Sequence, residues 1–247
     1  IELSGRRVVQ GADLVVEEGE LVGLVGPNGS GKSTLLRAMY RAVAPVAGAI
    51  WLGPDDLASL SAKESARRTA VLAQETPAEF DFTVQDMVML GRIPHLGLFE
   101  TESGEDRRIV EESITAVGAE HLGDRVFGTL SGGEKQRALM AKAMAQRTPM
   151  LILDEPTNHL DIGAQLGLLD LVRRQRLTTI AALHELNLAA AYCDRVYVLH
   201  RGRVAAGGPP DEVLTADLLA EVFGVGVHHT TNPHTGRMHL AFAPLAP

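Results

Sequence analysis

The segment Gly26-Pro27-Asn28-Gly29-Ser30-Gly31-Lys32-Ser33-Thr34 constrains this chain most. It has the form G-x-x-x-x-G-K-[ST], and it sits between an apolar run and a helical stretch. Leu21-Val22-Gly23-Leu24-Val25 before it reads as a buried strand, and Leu35 to Val43 after it reads as a helix. Each residue type has a reason to be there. Glycines let the backbone curl until successive N–H groups face phosphate oxygens. The helix that follows adds its positive N-terminal end. Lys32 supplies a full charge near the β- and γ-phosphates, and Ser33 offers a hydroxyl to Mg²⁺.

The rest of the chain alternates in the same sense. Leu14 to Val16, Ala49 to Leu52, Ala70 to Ala73, Met150 to Leu153, Thr178 to Leu183 and Val196 to Leu199 read as strands. His200 to Arg203 reads as a hairpin turn, and Asp211 to Phe223 as a closing helix. Thr83 to Gln146 carries helical patterns instead, at Val84 to Leu90 and Asp106 to Val117. The expected fold is α/β: a P-loop NTPase core with a mostly parallel sheet, a small antiparallel β part and a helical subdomain insert. The expected boundaries are 1–76 and 149–247 for the core and 77–148 for the insert.

Composition narrows the partners. Lys and Arg total 23 against 31 Asp and Glu, a balance unsuited to a nucleic-acid polyanion. No stretch approaches the length of a membrane-spanning helix. Cys193 is the one cysteine, which excludes a disulfide within the chain and suits a reducing compartment. It reads as a small hydrophobe between a helix and a strand.

A second acidic feature belongs with the loop. Leu151-Ile152-Leu153-Asp154-Glu155 places two carboxylates at the end of an apolar strand, where open parallel sheets bind ligands. Asp154 suits Mg²⁺, and Glu155 suits the orientation of a water for attack on a γ-phosphate. Leu130-Ser131-Gly132-Gly133-Glu134-Lys135-Gln136-Arg137 supplies a third segment. Ser131 with Glu134 forms a capping box, and a helix start with two glycines is also an anion site.

With these three motifs in this order the chain closely resembles the ATP-binding subunits of ABC transporters, whose signature is LSGGQ-like. The resemblance implies that Ser131, Gly132, Gly133 and Glu134 meet the γ-phosphate of an ATP held by a second copy, packed head to tail. It implies further roles for single residues. Gln74 matches the Q-loop glutamine, which reaches Mg²⁺ and the attacking water. Asp161, in Asn158-His159-Leu160-Asp161, matches the D-loop that contacts the opposite subunit. His184, after the strand Thr179 to Leu183, matches the switch histidine on the γ-phosphate. Leu3 stands where the family usually stacks an aromatic ring on adenine.

Thr83 to His95, with its Gly91-Arg92-Ile93-Pro94-His95 end, resembles the branch serving ferric-siderophore, haem and vitamin B12 importers. That implies transmembrane permease subunits as partners, a periplasmic or surface substrate-binding protein indirectly, no nucleic acid, and a peripheral position on the cytoplasmic face of the inner membrane. In the family the insert docks on the permease, and Val84, Met87, Val88 and Leu98 are the expected contact. His228, His229, His234 and His239 lack tight ligand spacing and read as a solvated tail. A two-component exporter subunit and a non-transport ABC ATPase remain the alternatives.

Overall fold

The computed structural model describes residues 1–73, 81–97, 99–158 and 160–245. Gln74, Leu98 and His159 lie outside them. Two compact units divide the chain: Ile1–Ile50 with Val172–Pro247, and Trp51–Leu171.

In the first unit the strand Leu21–Val25 runs parallel to Thr179–Ala182 on one side and Arg195–His200 on the other. The flanked strand is buried at all five positions, as its unbroken apolar run requires. Arg203–Gly208 closes the edge antiparallel to Arg195–His200. The turn between them sets Arg201 at φ 50° and Gly202 at φ 78°, the left-handed pair that a two-residue hairpin favours. Gly202 is required there twice, since a Cβ would collide with the Val8 carbonyl. Cys193 lies buried between the helix Leu186–Tyr192 and the strand Arg195–His200. Its thiol pKa is pushed well up, by burial first and then by Asp194.

The second unit pairs Thr69–Leu72 with Met150–Asp154 in parallel, Leu72 opposite Leu153. The helices Val84–Met89, Gly104–Ala116 and Gly132–Ala145 pack on one another around Val84, Val88, Val110, Ala138 and Met140, all fully buried. Each begins with a capping box, from Thr83, Ser103 and Ser131 respectively. The expected antiparallel part is here too, as Trp51–Leu52 against Asp55–Asp56.

Three expectations give way to the structure. Leu14 to Val16 forms no strand; the Val15 N–H donates to Tyr197 Oη at 2.9 Å, so a phenol replaces a ladder. The closing helix is two, Pro210–Val213 and Ala216–Phe223, because Thr215 caps the second by accepting from the Leu218 N–H. The late histidines are no tail: His228, His229 and His239 lie on a hairpin, Val225–Thr231 against Met238–Pro244. They are exposed as expected, yet His229 Nε2 donates to the Leu214 carbonyl at 2.6 Å.

Candidate nucleotide site

The loop Gly26–Gly31 leaves the C-terminal end of Leu21–Val25, and Gly31 caps the helix Lys32–Met39 in left-handed backbone at φ 108°. No L side chain fits at Gly26 either, where a Cβ would strike the Leu199 carbonyl. The loop is fastened from outside by the Gly202 N–H, which donates to the Ser30 carbonyl at 3.0 Å. Asn28 and Gly29 are exposed, so its outer turn faces solvent.

Two groups in the loop suit an anion. Lys32 is buried to 5% exposure, and its Nζ donates to the carbonyls of Gly26 at 2.8 Å and Pro27 at 3.3 Å. A buried ammonium held on its own loop's carbonyls is placed to exchange them for phosphate oxygens. Ser30 Oγ is buried with no hydrogen-bond partner among the described residues. An orphaned hydroxyl of this kind is rare unless something else fills its hydrogen bond. His184 belongs to the same unit. The Leu183 N–H donates to the Leu24 carbonyl at 3.0 Å, which sets the exposed His184 at the same strand ends as the loop.

The second unit carries the other described candidates. Asp154 ends Met150–Asp154 at 3% exposure, and Glu155 follows at φ 54°. Ser131 and Gly132 are exposed at the start of Gly132–Ala145. The Ser131 N–H and Oγ both donate to Glu134 Oε2 at 2.8 Å, and these bonds hold the Glu134 carboxyl below its usual range. Asp161 Oδ1 accepts from the Ala164 N–H at 2.8 Å, so it caps the helix Ile162–Arg174. Asp154 offers carboxylate oxygens and, in the first unit, Ser33 a hydroxyl; each is a hard donor of the kind that Mg²⁺ takes.

The docking surface expected at Val84, Met87 and Val88 is not exposed. Val84, Met87 and Val88 fill the unit's own core. Ile93 and Phe99 are exposed instead, at 57% and 93%. The Gly91–His95 segment has a structural account that sequence reasoning missed. Arg92 Nε donates to Asp106 Oδ1 at 2.9 Å and its Nη1 to the Ala145 carbonyl at 2.8 Å. His95 Nε2 donates to the Gln146 carbonyl at 2.8 Å. A Cβ on Gly91 would collide with the Lys142 carbonyl. The segment is a clamp on the end of the helix that Ser131 begins. Gln136, Asn158 and Gln165, which bind the turn after Glu155, were also given no role of their own.

A glycine-cradled lysine at a strand–helix junction suits a nucleotide's phosphates, and the second unit carries an acidic strand end and a capped Ser-Gly-Gly helix start. The comparisons agree: residues 9–158 match the ABC transporter family, and the chain belongs to it.

Its relatives include proteins named for import and transport of cobalamin, hemin and ferric enterobactin. The chain is 40% identical over 248 residues to a cobalamin import ATP-binding protein of Halobacterium salinarum, covering 99% of this chain but only 62% of that protein. It is 44% identical to a hemin import ATP-binding protein of Nocardia farcinica, over 94% of this chain and 81% of the relative. It is 39% identical to a ferric enterobactin transport ATP-binding protein of Escherichia coli, over 93% and 86%. Among solved structures, one inward-facing ABC transporter assigned to the metal-chelate type superposes with a TM-score of 0.82 at 25% identity, covering 96% of this chain and 91% of that one. A dimeric bacterial ABC transporter cassette gives 0.71 at 25% identity, over 82% and 90%.

Proposed function

We propose that this chain is the ATP-hydrolysing subunit of an importer for an iron chelate, siderophore or haem, or for cobalamin. Two copies close head to tail on two ATP molecules and drive partner permease subunits from the cytoplasmic face of the membrane. A substrate-binding protein delivers the cargo and never touches this subunit. The observation that carries the reading is the Lys32 loop, with its buried ammonium and orphaned Ser30 hydroxyl, in a chain whose relatives are named for cobalamin, hemin and ferric enterobactin import.

In this reading each candidate residue has a role. Backbone N–H groups of the Gly26 to Thr34 loop, Pro27 having none, and the Lys32 ammonium hold the β- and γ-phosphates. Ser33, Asp154 and Gln74 would hold Mg²⁺, which neutralises phosphate charge when bound. Glu155 orients the attacking water, His184 binds the γ-phosphate, and Ser131 to Glu134 with Asp161 complete the site of the opposite copy. Residues 77–148 form the subdomain that meets the permease, through Ile93 and Phe99. No described helix is long and apolar enough to cross a membrane, which fits a subunit that relies on a permease.

Glu155→Gln tests this. The variant is expected to bind ATP with unchanged affinity, to lose turnover by about 10²-fold or more, and to accumulate an ATP-bound dimer on gel filtration. Near-normal turnover by the purified variant overturns the assignment.

A further inference from the structure

The four residues after the acidic strand form a turn that is tied down at the carbonyls of Glu155, Pro156 and Thr157. Glu155 itself sits at φ 54°, backbone that residues other than glycine rarely use. Such a conformation persists where its surroundings over-determine it. The Asn158 N–H donates to the Glu155 carbonyl at 3.2 Å, closing the turn. Gln136, from the helix Gly132–Ala145, donates its Nε2 to the Pro156 carbonyl at 2.9 Å. Gln165, from Ile162–Arg174, donates to the Thr157 carbonyl at 3.1 Å and the Leu160 carbonyl at 3.2 Å.

A side-chain hydrogen bond also reaches the carboxylate. Asn158 Nδ2 donates to Glu155 Oε2 at 2.6 Å. A carboxylate only accepts, so the amide must present its nitrogen here. Backbone and side chain are therefore fixed by different groups, the Asn158 N–H acting on the peptide and the Asn158 amide on the carboxylate. Gln136 and Gln165 hold the peptide, while Asn158 selects one rotamer of the carboxylate from the several that a free glutamate samples.

We propose that Asn158 is a positioning residue for hydrolysis: its amide aims the Glu155 carboxylate, and Gln136 fixes the turn on the helix that Ser131 begins. In a head-to-tail pair that helix start serves the opposite copy's ATP, while Glu155 serves its own. The Gln136 bond then ties the two ATP sites through a single chain. The inference rests on Glu155 being the group that orients water.

A mutant cycle on the full chain tests it. Asn158→Ala is expected to lower kcat about 10-fold or more, the loss of one hydrogen bond to a charged group, and to leave KM for ATP within about twofold. In a Glu155→Ala background, Asn158→Ala should then cost nothing further in single-turnover hydrolysis, because the carboxylate it aims is gone. Gln136→Ala runs the same cycle with the same expectations, and it keeps the Asn158 amide, so the test survives a poorly folded Asn158 variant. Wild-type or faster kcat in both single variants overturns the proposal. So does an equal loss with and without Glu155, which would make these residues scaffold only. Wild-type turnover in Glu155→Ala alone would instead overturn the underlying role of Glu155.

Discussion

Replacing Asp106 by Asn isolates the buried ion pair behind the Gly91–His95 clamp. Asp106 is 6% exposed and accepts from Ser103 Oγ at 2.6 Å, from Arg92 Nε at 2.9 Å and from the Ser103 N–H at 3.0 Å. These bonds, that from Ser103 Oγ foremost, hold its carboxyl at about 2 against an ordinary 3.8. At 1.36 kcal/mol per decade the gap is worth ~2 kcal/mol of stability in the ionised form. Stripping a buried guanidinium of its carboxylate can cost about 3–5 kcal/mol, but the Asn carbonyl still accepts from Arg92, which favours the lower figure. The sign with pH follows from the depressed value. The stabilisation is complete above 3.8 and drains away as pH falls towards 2. Asp106→Asn should therefore unfold in urea ~2 kcal/mol more easily at pH 7, and by roughly half that at pH 3. A deficit under about 0.5 kcal/mol at pH 7, or one that stays constant down to pH 3, refutes this account of the bridge.

Two further outcomes bear on the site. Lys32→Ala should weaken ATP binding by about 1.5–3 kcal/mol, more than tenfold in Kd by calorimetry, since a charge-assisted contact is lost. Ser131→Arg should keep that affinity, because the Lys32 loop is intact, but should fail to form the ATP-bound dimer or hydrolyse ATP in sedimentation and phosphate-release assays. Loss of its capping box should also cost about 1 kcal/mol of stability. A Ser131→Arg chain with normal turnover ends the shared-site reading.

The sequence by itself determined the strand–loop–helix at Leu21 to Met39, the acidic end of Met150–Asp154 and the capped start at Ser131. Each is a local device. Glycines at set intervals, an unbroken apolar run and a Ser-x-x-Glu cap act within a few residues, so spacing reveals them. It also determined the hairpin at Arg201-Gly202, whose turn chemistry is local too. The C-terminal hairpin was legible in Val225, Val227, Leu240 and Phe242 flanking an Asn-Pro turn, but the histidines there drew the reading towards a tail. Tertiary structure decided the rest. Whether Val84, Met87 and Val88 face out or in depends on which face of a short helix meets Gly132–Ala145, and amphipathic spacing alone fits either. Arg92 meets Asp106 and the Ala145 carbonyl across 14 and 53 residues, and Gln136 meets Pro156 across 20. No local pattern encodes such bonds, because a side-chain amide or guanidinium finds its acceptor only after the helices have packed.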